Sequence, residues 1–195
     1  MLNTTQDPAT DRRPLIAIVP WDSGFRAWDP IESPSGEVWH PRGACALTLT
    51  ADQTEAQADN LIQQLHDHAL AAILLVGRSS ATGTVHIQTR AENRIPGTQE
   101  RDDPLGAGVV RATLSTAEIL RDLDQAGLSA RAVSEAEDDA GSQCLYRILS
   151  HLPDGGATPP VGLIRLPRDM APEQVNLTIR TVASAVSRHL PSHKT

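Results

Sequence analysis

Residues 71–80 read AAILLVGRSS, and this stretch decides the fold. Ala71 to Val76 is short and apolar at every position, so it suits a strand buried on both faces; Gly77-Arg78-Ser79 then ends it in a turn. Leu15 to Val19 has the same character, and Cys45 to Leu49 and Val161 to Leu166 extend the set. Val85 to Thr89 and Ala130 to Val133 are shorter, more polar strand candidates. Between them lie helical patterns. Thr50 to Ala69 places Leu61, Ile62 and Leu65 on one face, and Ser115-Thr116-Ala117-Glu118 has the form of a capping box with Gly127 at the far end. Pro172 opens a last helix whose Val175, Ile179, Val182, Val186 and Leu190 recur at three- and four-residue spacing. Strands alternating with helices predict an α/β fold: a three-layer sandwich with a central mixed sheet and helices on both faces.

The 195 residues suit one core. Residues 1–13 are polar and read as a flexible leader, and residues 14–192 as a single domain. Ile95 to Gly108 and Pro153 to Pro160 read as surface loops within it. The formal charge is -7, with acids and bases interleaved. This argues against nucleic acid as a partner, which needs a concentrated basic face. No run approaches the roughly 18 apolar residues of a membrane span. Cys45 and Cys144 make no metal or disulfide pattern, and no cofactor motif is present. A cytoplasmic protein with reduced thiols is the expectation, and a homo-oligomer is left open. Trp21, Phe25, Trp28 and Trp39 cluster near one another in a chain otherwise poor in aromatics.

Four blocks in order resemble the type I pyroglutamyl peptidases. Gly24-Phe25-Arg26-Ala27-Trp28 with Ser33-Pro34-Ser35-Gly36-Glu37 is similar to that family's GFxPF turn and the stretch after it. Gly77-Arg78-Ser79 to Arg94-Ile95-Pro96 is similar to its GGRS…ARIP segment. Ala112-Thr113-Leu114 through Ala126-Gly127-Leu128 to Val133-Ser134, and Gly162-Leu163-Ile164-Arg165-Leu166-Pro167, complete the likeness. The resemblance implies a cleft where a Cys nucleophile at a helix N-terminus, a His base and an orienting Glu act together, since the helix end and an imidazolium depress a thiol's pKa. Here Thr84 matches the Glu and Arg165 the His. Counting back from Tyr146 puts Gly141 at the Cys position, whereas a shifted alignment over residues 135–143 puts Cys144 there.

Arginine is no base at neutral pH, so the resemblance implies a fold that has lost its peptidase machinery. Its ligand would be a small lactam or amide, or a peptide N-terminus, walled by Phe25 and Trp28, with Trp21 a substitute wall. Gly77-Arg78-Ser79-Ser80, after a strand and rich in small polar residues, reads either as a ligand-binding stretch that offers amides to an anion or as a plain turn. Arg165 has two readings, a fork for a ligand carboxylate or the ion-pair partner of an acid among Glu135, Glu137, Asp138 and Asp139. A different class of function is a divergent enzyme, using the same pocket for another reaction on a pyroglutamyl-like substrate in a biosynthetic pathway, with His86, Cys144 or one of those acids taking part. A purely structural role is the third.

Overall fold

The computed structural model describes residues 13–21, 39–49, 55–152 and 157–190. Six strands form one mixed sheet in the order β2-β1-β3-β8-β4-β7. They are β1 (Leu15–Pro20), β2 (Cys45–Thr48), β3 (Ala72–Arg78), β4 (Val85–Gln88), β7 (Ala130–Val133) and β8 (Val161–Leu166). Strands β2, β1, β3 and β8 run parallel, β4 is antiparallel to β8, and β7 is parallel to β4. The expected mixed sheet is therefore present, built on the strands read from the sequence.

Side chains alternate between two apolar layers, as the pleat requires. Ile16, Ile18, Leu74, Val76, Ile164 and Leu166 face helices α2 (Thr116–Gln125) and α4 (Pro172–Ser187). Ala17, Val19, Ile73, Leu75 and Leu163 face α1 (Glu55–His66) and α3 (Ala140–Ser150). Val175, Ile179, Val182, Val186 and Leu190 are all buried, so the apolar stripe of the last helix packs as its spacing predicts. Ile179 is 1% exposed. Ile179→Ala should lose about 2–5 kcal/mol in urea unfolding; a loss under about 0.5 kcal/mol would mean that this face carries no core.

Helix α2 ends as expected. Gly127 has φ +73, and the Gly127 and Leu128 amides donate to Asp124 and Leu123 carbonyls, which closes a Schellman motif. The capping box at its start does not form. The Ser115 side chain makes no capping hydrogen bond, and Glu118 instead meets His189 just beyond α4. A tertiary partner has won over the local one. Glu118 still lies in the first turn, where its charge suits the helix dipole.

The pattern also missed a two-stranded ribbon, β5 (Arg90–Glu92) with β6 (Val109–Arg111). The loop between them is braced from beneath. Asn93 and Asp103 exchange two hydrogen bonds, Tyr146 donates to Ala107 O, and Arg147 grips Asp102 from Nε and Nη2. Burial alone would raise the Asp102 pKa, but hydrogen bonds from Arg147 and Gln143 hold it below the ordinary value. Among the described residues, no helix is long and apolar enough to cross a membrane.

Candidate active-site cleft

One row of residues crosses the sheet near the C-terminal ends of β3 and β8, on the face that α3 covers. Register pairs Gly77 with Arg165, Arg165 with His86, and His86 with Arg131. Trp21 follows Pro20, whose partner is Val76, and the Trp21 amide donates to Val76 O. The residue at the His-matched position thus sits centrally in the sheet, under the first turn of α3.

Asp139 starts that helix: its side chain accepts from the Ser142 amide, 2.9 Å away. Both of its carboxylate oxygens also accept from Arg165, at 2.5 Å from Nη1 and 2.9 Å from Nη2. Arg165 is 1% exposed. Its Nε donates to Gln88 Oε1 at 2.9 Å, its Nη2 donates to Ser142 Oγ at 2.8 Å, and Glu137 lies 3.8 Å away. The guanidinium also stacks 5.1 Å from the Trp21 ring centre. A planar fork is well matched to such a set of acceptors.

Arg165 is therefore an internal tie between sheet and helix. The expectation that it reaches a ligand is corrected by its burial and by its acceptors; of the two readings, the ion pair with the acidic run is the one found. Glu137 turns the other way along the same loop, accepting from Ser79 Oγ and from the Ser80 amide. Burial would raise its pKa, but these hydrogen bonds and Arg165 hold it below the ordinary carboxylate value.

Gly141, matched to the nucleophile, lies in the first turn of α3 as such a position should, yet the indole of Trp21 occupies the space above it. A Cβ at Gly141 would fall 2.6 Å from Trp21 Cδ2, and one at Gly77 would collide with the same ring. Two glycines thus make the slot in which Trp21 lies. Trp21 stays half-buried and forms one wall of an open cleft of about 780 Å³, together with Arg78, Ser80, Arg168 and the 137–139 loop. Phe25 and Trp28 lie outside the described residues.

Cys144 lies within α3, beyond its first turn, on the side that packs into the α1/α3 layer. Burial pushes its thiol up to about 12, with Arg147 pulling weakly the other way. That is opposite to the shift of an activated nucleophile. Thr84 Oγ1 lies 3.4 Å from Ser129 Oγ. His86 is buried, and its Nε2 accepts from Arg131 Nε at 3.0 Å, so the lone pair a base would use is engaged. The amides after β3 are internally paired too: Ser79 with Leu166 O, Ser80 with Glu137, Ala81 with Ser79 Oγ and Gly83 with Asp169. Gly77 and Arg78 still belong to β3 and the Ser79 and Ser80 amides are engaged, so the stretch is no anion nest.

Gln88 is the site residue that the sequence reading missed. It is fully buried and bridges Arg165, Ser142 and Arg90 O. The alternation Val85-His86-Ile87-Gln88 was the available signal: one face of β4 is polar, so a polar partner had to lie over it.

His86 gives a pH prediction. Burial, then Arg131, then Arg165 lower its pKa below 6.5, against an opposing pull from Glu137. The unfolded chain gains a proton near pH 6.5 that the folded His86 resists, so stability should fall as pH drops below that value. Further loss should follow at lower pH, as Glu137 and Asp102 protonate through their depressed values. Urea midpoints between about pH 7.5 and 5.5 should decline in wild type and less in His86→Gln; identical declines would remove His86 from the account.

No protein-family profile and no curated protein matches the sequence. Solved structures do match the fold. Pyroglutamyl peptidase I from Bacillus amyloliquefaciens superposes with a TM-score of 0.74 at 14% identity, covering 94% of this chain and 99% of that one. Pyrrolidone carboxyl peptidase from Thermus thermophilus gives 0.68 at 17%, covering 88% and 99%. The enzyme from Thermococcus litoralis gives 0.67 at 14%, covering 91% and 94%. At these identities the likeness is one of fold, and the fold of this chain is pyroglutamyl-peptidase-like.

Proposed function

We propose that this chain is a pyroglutamyl-peptidase-like protein without cysteine-peptidase activity, and that its cleft binds a small lactam- or amide-bearing ligand or a protein N-terminus. The observation that carries the reading is the Trp21 indole lying over Gly77 and Gly141. It fills the volume in which a nucleophile on the first turn of α3 would meet a carbonyl carbon. The base position holds a cation committed to Asp139, so neither half of the proton transfer has an agent. What supports binding is the cleft beside the indole, large enough for a small molecule and edged by polar groups. An indole face offers a flat lactam ring about 0.5–1.5 kcal/mol beyond area burial.

Calorimetric titration with pyroglutamate amide tests the binding half. Saturable binding without turnover, weakened several-fold by Trp21→Ala, is the expected result. Absence of saturable binding would remove the lactam reading and leave a structural role.

A further inference from the structure

Taking the ligand-binding reading as its ground, we propose that the cleft selects a ligand carrying a carboxylate, and that Arg168, beside Arg78, is the residue that meets it. The sequence pointed to Arg165 for that task, but Arg165 is enclosed. The charges that line the open cleft differ in how far the fold has already matched them. On the acidic side, Glu137 accepts from Ser79 and Ser80. Asp138 accepts from the Gly97 amide at 3.1 Å and lies 3.6 Å from Arg94. Asp139 is gripped by Arg165 through both oxygens. All three acids are turned to internal donors.

On the basic side Arg168 differs from these acids. Arg168 follows directly after β8 and Pro167, is exposed, and borders the cleft. Among the described residues no carboxylate pairs with its guanidinium, and the neighbouring Asp169 is directed to the Gly83 amide. Arg78, at the end of β3, donates from Nη1 to Pro167 O at 2.7 Å and to Arg168 O at 3.4 Å. Those carbonyls tie the Arg78 side chain to the same turn. Two guanidinium side chains therefore flank one end of the cleft, at the C-terminal ends of adjacent parallel strands, where open sheets take ligands.

The anion they suit is a carboxylate rather than a phosphate. A phosphate site normally adds backbone amides to its cations, and the amides of Ser79, Ser80, Ala81 and Gly83 are all engaged within the protein. A carboxylate needs only the planar forks.

The test is titration of pyroglutamate, pyroglutamate amide and inorganic phosphate into the full chain at low ionic strength, where an exposed cation is least screened. Pyroglutamate should bind about five- to tenfold more tightly than its amide. Arg168→Gln should erase the difference between acid and amide, and Arg168→Lys should keep part of it. Added phosphate should not displace the acid. Equal binding of acid and amide by wild type, a preference that survives Arg168→Gln, or displacement by phosphate would each overturn the assignment while leaving the ligand-binding reading standing. Failure of both organic probes to bind would end that reading, and the carboxylate assignment with it.

Discussion

Asp139→Ala should unfold at a much lower urea concentration than wild type, with a loss of about 3–5 kcal/mol. Two functions meet in this one side chain. It caps α3 through the Ser142 amide, and it takes both ends of the Arg165 fork. Removing it leaves a guanidinium that is 1% exposed without its principal counter-charge. The remaining acceptors, Gln88 and Ser142, are neutral, and Glu137 stands 3.8 Å away. The cap by itself accounts for about 1 kcal/mol. Asp139→Asn separates the two contributions, since Asn caps well but carries no charge: it should fall between wild type and Asp139→Ala. If Asp139→Ala costs less than about 1 kcal/mol, Arg165 is not held in the way described.

The second large effect concerns the slot that holds Trp21. Gly141→Ala should destabilise by about 1–3 kcal/mol, the usual range for overpacking a filled site. The sign is what makes this informative. Within a helix Ala is favoured over Gly by about 0.8–1.0 kcal/mol, so with open space above Gly141 the same substitution would stabilise the protein. The ring above the helix predicts the opposite. In a Trp21→Ala background the clash is gone, and Gly141→Ala should become neutral or favourable. A coupling of at least about 1 kcal/mol between the two substitutions is expected; additivity within about 0.5 kcal/mol would mean that they do not touch.

These residues also show how far the sequence could be read. The central strands were legible because Leu15 to Val19 and Ala71 to Val76 are buried on both faces and leave no room for polar residues. The last helix was legible from one apolar stripe. The β5–β6 ribbon was not, since Arg90, Glu92 and Arg111 give short strands no apolar alternation, and what holds them is packing against α3 and the hydrogen bonds of the loop between them. Glu118 had the spacing of a capping residue, and only the position of His189, at the other end of the chain, decides against it.

The site divides in the same way. That Arg165 would stand at a strand end, with acids near it, followed from the pattern of Gly162 to Pro167 and the charge run from Glu135 to Asp139. Which acid it takes, and that it takes it with both nitrogens, depends on the start of α3. Trp21 was legible as an aromatic near a cleft. Its place over Gly77 and Gly141 brings together three segments that no local pattern relates. The absence of a Cβ at both positions carried that information in the sequence, but only the fold shows what fills the space.

The central claim is that the peptidase chemistry of this fold has no agents left in this chain, and release of a fluorogenic amine from a pyroglutamyl amide measures it most directly. Wild type should release no more amine than the uncatalysed background, and Cys144→Ala should be indistinguishable from it, because desolvation pushes that thiol's pKa up to about 12, away from the thiolate a nucleophile needs. Turnover by wild type that Cys144→Ala abolishes would contradict the account: it would place the nucleophile at Cys144 and the Trp21 slot outside the chemistry.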